Sequence, residues 1–272
     1  MPDSPPNTLA IAVAQTAPGD DVSVNLATMR EHSATAASRG AGLIVFPEYS
    51  SFFEVTLGPA SIAAAEPLDG AFVTGVAEIA RDLGVVIVAG MLEKLDGLRR
   101  VSNTIVALDP SGNLVAVYRK QHLYDAFGQS ESAIIEPGPL DEPQVFAVDD
   151  LTFGIQTCYD LRFPEVTRRI VDAGADVVVV PSEWVHGPLK EHHWRVLVTA
   201  RAIENTIFVA AADHAPPIGA GNSMIVDPMG VELATMGEEH GVAVAWVSRA
   251  RVDQVRAVNP ALKLRRFTVT AR

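Results

Sequence analysis

Leu151-Thr152-Phe153-Gly154-Ile155-Gln156-Thr157-Cys158-Tyr159-Asp160-Leu161-Arg162-Phe163-Pro164-Glu165 runs from an apolar strand, Leu151 to Thr157, straight into a helix start. A strand that turns sharply into a helix is the repeating step of an α/β fold, and it lifts the side chain at the turn above the sheet. Cys158, the chain's single cysteine, occupies that turn. The N–H groups and partial positive charge of a helix N-terminus would favour a thiolate and any developing oxyanion there. A lone cysteine also reads simply as a small buried hydrophobe.

Outward from this stretch, short Val- and Ile-rich runs alternate with helical patterns. The N-terminal side gives a strand from Thr8 to Ala14, an amphipathic helix from Val22 to Ser38, and a strand from Leu43 to Phe46. A helix from Ala71 to Leu83 and a strand from Val85 to Ala89 follow. On the C-terminal side come a helix from Glu165 to Ala173, a strand from Asp176 to Val180, a helix from Leu189 to Asn205 and a strand from Thr206 to Ala212. Two hairpins, 102–119 and 223–235, close on Asp109-Pro110-Ser111-Gly112 and Asp227-Pro228-Met229-Gly230, in which proline presets φ and glycine accepts the last turn position. Repetition of this turn suggests two similar halves. The expected architecture is one α/β domain over residues 8–258, with two packed sheets and helices outside. Residues 1–7 read as a flexible lead-in. The basic tail, 259–272, lacks helical periodicity and is expected to fray or to dock on a second subunit.

At 272 residues the chain is long enough to bury a sizeable core, and 48% hydrophobic with 20% charged residues is ordinary for a globular protein. A formal net charge of -12 argues against nonspecific binding to nucleic acid or to an anionic membrane surface. No apolar run approaches the roughly 20 residues of a membrane span, and the N-terminus lacks the basic start and apolar core of a signal peptide. A single cysteine makes no internal disulfide, so the expected compartment is the cytoplasm.

Three ionisable residues besides Cys158 lie just past apolar strands, where α/β sheets gather their ligands. Glu48 follows Leu43 to Pro47, Lys120 follows Leu114 to Arg119, and Glu131 lies in the loop beyond. Each alone could be a solvated or helix-start charge. Together, Glu48, Lys120 and Cys158 offer a base, a cation for an oxyanion and a nucleophile, with no need for histidine.

The strings Phe46-Pro47-Glu48, Tyr118-Arg119-Lys120-Gln121-His122-Leu123-Tyr124-Asp125 and Thr157-Cys158-Tyr159-Asp160-Leu161-Arg162-Phe163-Pro164-Glu165 resemble the three Glu-Lys-Cys motifs of the nitrilase superfamily of carbon–nitrogen hydrolases. The resemblance extends from about residue 8 to 247. It implies a four-layer α-β-β-α sandwich, a homodimer, and cofactor-free, metal-free hydrolysis of small nonpeptide amides, carbamoyl compounds or nitriles. Carried over by residue, Glu48 is general base and later acid, Lys120 steadies the tetrahedral intermediate, Cys158 is the nucleophile, and Glu131 is an accessory glutamate. The Tyr159 N–H joins Lys120 in the oxyanion hole.

Tyr159-Asp160 after the cysteine resembles the omega-amidase and deaminated-glutathione amidase branch, which implies a carboxylate-bearing amide and release of ammonia through a thioester. N-carbamoyl amine hydrolysis or nitrile hydrolysis on the same triad is the alternative. A carboxylate calls for a cation, so Arg162 and Arg195 are candidates, although Arg162 could equally clamp Glu165 or Asp160. The resemblance places Glu183 and Trp184 at the pocket, where that branch more often has a small residue and Phe. It has Asn222 where His is common. Tyr49 to Val55 and Tyr124 to Gln129 are the other expected pocket loops, so Tyr49 and Tyr124 are candidate substrate contacts.

Competing readings pair Cys158 with His122 or His193 as in a papain-like protease, place a metal on His192 and His193, or keep the fold as a noncatalytic binding scaffold. The papain-like reading lacks its local signatures, adjacent helical histidines point to different faces, and a scaffold predicts loss of a triad residue.

Overall fold

A computed structural model describes residues 7–271. The expectation of a flexible lead-in therefore falls, for Met1 to Pro6, outside the described residues. Strands β1 (Leu9–Gln15), β2 (Leu43–Val45), β3 (Val86–Lys94), β4 (Val101–Leu108) and β5 (Leu114–Arg119) form the first half, with helices α1 (Val22–Ser38), α2 (Pro59–Ala64) and α3 (Ala71–Leu83). The second half holds β6 (Val145–Val148), β7 (Leu151–Ile155), β8 (Val177–Ser182), β9 (Phe208–Asp213), β10 (Met224–Val226), β11 (Glu232–Thr235) and β12 (Gly241–Val247). Its helices are α4 (Pro164–Asp172), α5 (Lys190–Asn205), α6 (Arg249–Val258) and α7 (Ala261–Leu264).

Local chemistry sets the helix ends. Asp21 caps α1 by accepting from the Ser23 and Val24 N–H groups. Gly84 ends α3 in the left-handed conformation at φ 66°. Both hairpin turns work alike: Asp109 accepts from Ser111 N and Asn113 N, and Asp227 accepts from Met229 N and Val231 N.

The strands assemble into two six-stranded sheets, β12-β1-β2-β3-β4-β5 and β6-β7-β8-β9-β10-β11. In each, the second, third and fourth strands are parallel and the outer three pairings are antiparallel. The two halves thus share one strand order, as the repeated turns suggested. The sheets meet across a core of Ile11, Val13, Val45, Val88 and Ile105 against Phe153, Ile155, Val177, Val179 and Ala210. A second apolar layer joins the other face of the first sheet to α1 and α3 through Met29, Phe72, Val76 and Ile87. A third joins the second sheet to α4 and α5 through Ile170, Val178, Trp194 and Val198. This is the expected α-β-β-α sandwich.

Several segments departed from the reading of the sequence: α2 and α6 were not anticipated, and α7 is a short helix inside the tail that was expected to lack helical periodicity. β6 and β12 were not anticipated, because short strands acquire their state from pairing: β12 exists through its register with β1, from Leu9 opposite Val247 to Gln15 opposite Gly241. The helix start expected at Cys158 is a short 3-10 turn, Cys158–Arg162, and the helix expected from Glu165 to Ala173 follows it as α4. No helix among the described residues is long and apolar enough to cross a membrane. Beyond α7 the tail runs along its own chain, where Thr268 to Ala271 line a groove with Phe163, Arg169 and Leu140.

The parallel strands of both sheets end on one rim, and close backbone approach tightens it. Gly90 of β3 lies under the turn after β2, so that a Cβ there would sit 2.6 Å from Glu48 Cα and from Tyr49 N. Both neighbours are backbone and cannot swing aside. Gly90→Ala is therefore expected to lower stability by about 1–3 kcal/mol in urea denaturation, and to displace Glu48 enough to reduce turnover in the folded fraction.

Candidate active site

Glu48, Lys120, Glu131 and Cys158 reach one cavity of about 320 Å³ at that rim, from the ends of β2, β5 and β7 and the loop after β5. Glu48 and Lys120 are almost wholly buried. Lys120 Nζ donates to Glu48 Oε1 at 2.9 Å and lies 2.9 Å from Glu131 Oε2, so one ammonium bridges two carboxylates. Asn103 on β4, absent from the candidates of the sequence, donates from Nδ2 to both: Glu48 Oε1 at 2.5 Å and Glu131 Oε1 at 3.0 Å. Glu48 Oε2 accepts the Glu183 N–H at 2.7 Å. Beneath, buried His214 donates from Nε2 to the Glu48 carbonyl at 2.7 Å, while burial lowers its pKa to about 4 and keeps it neutral.

The two glutamates are driven apart in acidity. Burial pushes the Glu48 carboxyl up, Lys120 opposes this, and the charge of Glu131 adds to it, leaving Glu48 above the usual carboxylate range. Burial acts on Glu131 too, but Lys120, the Tyr49 hydroxyl at 2.7 Å and the Tyr124 N–H at 2.6 Å outweigh it and hold Glu131 below its usual value. For Lys120, burial favours the neutral amine, yet the two carboxylates prevail and keep the ammonium charged. Such a split marks Glu48 as the group able to exchange a proton and Glu131 as a fixed counter-ion.

Cys158 has φ 43°, a left-handed conformation costly for a residue with a Cβ, and strain of this kind gathers at reactive turns. Its thiol donates to the Glu183 carbonyl at 3.3 Å. Burial first, then the Glu48 charge, pushes the thiol well above its ordinary pKa, with Lys120 opposing. These effects oppose the thiolate-favouring turn expected from the sequence and favour a resting thiol that needs a base. The Tyr159 N–H follows in the first turn, where N–H groups lack intrahelical partners.

Of the candidate substrate contacts, Tyr49, Tyr124 and Glu183 line the main cavity, and Tyr124, Tyr159, Arg162, Glu183 and Trp184 line a smaller recess that shares Cys158 with it. Arg162 does not clamp Glu165 or Asp160. Its guanidinium lies over the Trp184 ring at 4.6 Å, with Nε and Nη2 buried and unpartnered. Trp184 is also core, packed on Trp194 and donating from Nε1 to the Lys190 carbonyl. Arg195 is corrected as a candidate: it pairs with Glu232 and Asn222, outside both cavities, because it sits about 140° round α5 from Lys190.

His122 is likewise occupied, its Nδ1 2.8 Å from Asp160 and its ring stacked on Phe163. Asp160 also accepts from the Tyr118 hydroxyl and the His122 N–H, which anchors the cysteine turn to β5. Among the described residues no cluster of three or more His, Cys, Asp or Glu is arranged to hold a metal ion.

Against known proteins, the carbon-nitrogen hydrolase family model matches residues 10–257. The deaminated glutathione amidase of Escherichia coli O157:H7 is 39% identical over 235 residues, covering 86% of this chain and 88% of that one. The human deaminated glutathione amidase is 33% identical over 273 residues, covering 94% and 82%. Among solved structures, the Caenorhabditis elegans NitFhit protein superposes with a TM-score of 0.86 at 27% identity, over 96% of this chain and 66% of that one. An amidase from Nesterenkonia sp. superposes at 0.80 and 28% identity, over 97% and 99%. A structure of a mutant of the amidase from Nesterenkonia sp. AN1 shows the acetamide moiety of fluoroacetamide added covalently at the active site cysteine. The match along nearly the whole length, with strands and motifs in the same chain, shows that this protein belongs to the carbon-nitrogen hydrolase family.

Proposed function

We propose that the protein hydrolyses a small, carboxylate-bearing nonpeptide amide and releases ammonia through a Cys158 thioester. The observation that carries this is the buried Lys120 bridging two glutamates of opposed acidity beside a single thiol. The names of the deaminated glutathione amidases and the cysteine adduct of the Nesterenkonia amidase support the same reading.

Glu48, its Oε1 held by Lys120 and Asn103, has lone-pair capacity left on Oε2 to take the proton of Cys158. The thiolate attacks the amide carbonyl, and Lys120 Nζ and the Tyr159 N–H hold the oxyanion. Collapse of the tetrahedral intermediate breaks the C–N bond, and Glu48 returns its proton to the departing nitrogen, which leaves as ammonia. The same carboxylate then draws a proton from water as its oxygen attacks the thioester. Collapse of the second intermediate frees the acid, and the proton on Glu48 restores the thiol. Glu131 stays ionised throughout and keeps Lys120 charged.

We further place the protein in the cytoplasm as a homodimer. Exposed Val196 and Ile203 on α5, with Phe267 on the tail, support pairing of two copies. Residues 8–258 act as the single hydrolase domain.

Cys158→Ala is expected to abolish ammonia release, by on the order of 10³-fold or more, with an unchanged circular dichroism spectrum. Turnover by Cys158→Ala at the wild-type rate excludes the scheme. A panel of omega-amides, deaminated glutathione, N-carbamoyl amines, aliphatic amides and nitriles tests the substrate class, and a nitrile preferred over every amide overturns it.

Glu48 must be ionised to accept the thiol proton, so activity is present above its pKa and falls as pH drops through it. Because that pKa is raised, the acid limb of kcat/KM is expected above the ordinary carboxylate range. Asn103→Leu removes a hydrogen bond that favours the ionised form, so the limb moves to higher pH while kcat falls about 10- to 100-fold. An unshifted limb in Asn103→Leu removes Asn103 from this role.

A further inference from the structure

Lys190 combines several unfavourable features at one position. It is the first residue of the 16-residue α5, where a positive charge opposes the helix dipole. The preceding Leu189 is held at φ 60°, provides no side-chain cap and leaves its own side chain 67% exposed. Lys190 is nonetheless buried, and its carbonyl is fixed by the Trp184 Nε1–H at 2.8 Å.

Its ammonium faces the smaller recess. Nζ donates to the Tyr124 hydroxyl at 2.6 Å and lies 3.8 Å from the centroid of the Phe127 ring. The Arg162 guanidinium approaches the same ring at 5.7 Å. Two cations therefore converge on one aromatic ring, and each lacks a carboxylate partner within ion-pair distance among the described residues. Burial, followed by the charge of Arg162, lowers the Lys190 pKa, as expected for an ammonium without a counter-ion. Glu183 shares the recess but is itself held towards its neutral form by burial and by Glu48.

An incoming anion would offset each of these costs. It would pair with both cations, use buried donors of Arg162 that have no partner, and meet the positive end of α5. The recess itself holds only about 10 Å³, less than a carboxylate needs, but it shares Cys158, Tyr124, Glu183 and Val185 with the 320 Å³ cavity, so the anion would sit where the two meet, within reach of both cations and beside the thiol.

We infer that Lys190 is a specificity-determining residue that receives a carboxylate carried on the acyl part of the substrate, with Arg162 as the second cation. This deepens, and rests on, the amide-hydrolase reading above. Aromatic rings hold the ammonium in place before substrate arrives, and the carboxylate replaces the Tyr124 hydroxyl as its principal partner.

Because the chain has one cysteine, alkylation reports on this site alone. The test compares the rates at which iodoacetate and iodoacetamide modify Cys158 in the wild type, Lys190→Met and Lys190→Arg. The iodoacetate to iodoacetamide rate ratio is expected to fall about tenfold in Lys190→Met and to be largely retained in Lys190→Arg, which keeps the charge. A loss of folding would expose the buried thiol, raise both rates and carry the ratio to that of a free cysteine, so an unchanged circular dichroism spectrum is required of each variant; an unmoved ratio in folded Lys190→Met overturns the inference. In a second arm, the preference for succinamate over butyramide, as kcat/KM, falls about 10- to 100-fold in Lys190→Met. Equal loss on both amides also overturns it. If the wild type releases ammonia from no amide, the amide-hydrolase reading fails, while the alkylation ratio still decides whether Lys190 receives an anion.

Discussion

The ammonium of Lys120, withdrawn from water between two carboxylates, is the constraint to which the rest of the site conforms. Isolated burial of any of these charges would cost several kcal/mol or more, and such a group is tolerated only when its partners and hydrogen bonds are all in place. Here Lys120, Asn103, Tyr49, the Tyr124 N–H and the Glu183 N–H supply them from four separate segments. A shift of any one segment would strand a charge in an apolar rim. The cluster therefore disfavours other arrangements of the loops as well as holding this one.

Two similar sheets explain why the cluster sits where it does. Glu48 and Lys120 come from the first sheet and Cys158 and Glu183 from the second, so the chemistry belongs to the seam and to neither half alone. The inter-sheet apolar core fixes that seam from below. Above it, His214 of the second half donates to the Glu48 carbonyl of the first, and Tyr118 of the first donates to Asp160 of the second. Each hydrogen bond crosses the seam beside a catalytic candidate, which couples side-chain placement to sheet packing.

Most strands and helices were legible because their ends carry chemistry of their own: Asp21 for α1, Gly84 for α3, and the two Asp-Pro-x-Gly turns for the hairpins. Glu48, Lys120 and Cys158 could be picked out as charges or a thiol just past apolar runs, whereas Glu131 needed the family resemblance to stand apart from other loop glutamates. Asn103 and Lys190 were not legible as site residues. An asparagine inside the strand Val101–Leu108 was a visible oddity, but its meaning lies in partners brought together only by the fold. Helical phase decides between Arg195 and Lys190, and the phase could be read only once the helix start and its packing face were known. The turn at Cys158 was read in the right place, but the burial and the Glu48 charge that push its thiol pKa up exist only once the two sheets meet.

The buried thiol has a consequence for survival when peroxide is present. Peroxide attacks the thiolate far faster than the thiol, and oxidation beyond sulfenic acid is irreversible for most enzymes. With its proton held towards the Glu183 carbonyl and its pKa pushed up, Cys158 at rest presents little thiolate to such reagents. Nor does the chain contain another cysteine to form a protective disulfide with it. The burial and the neighbouring Glu48 charge that slow the resting thiol thus also preserve it.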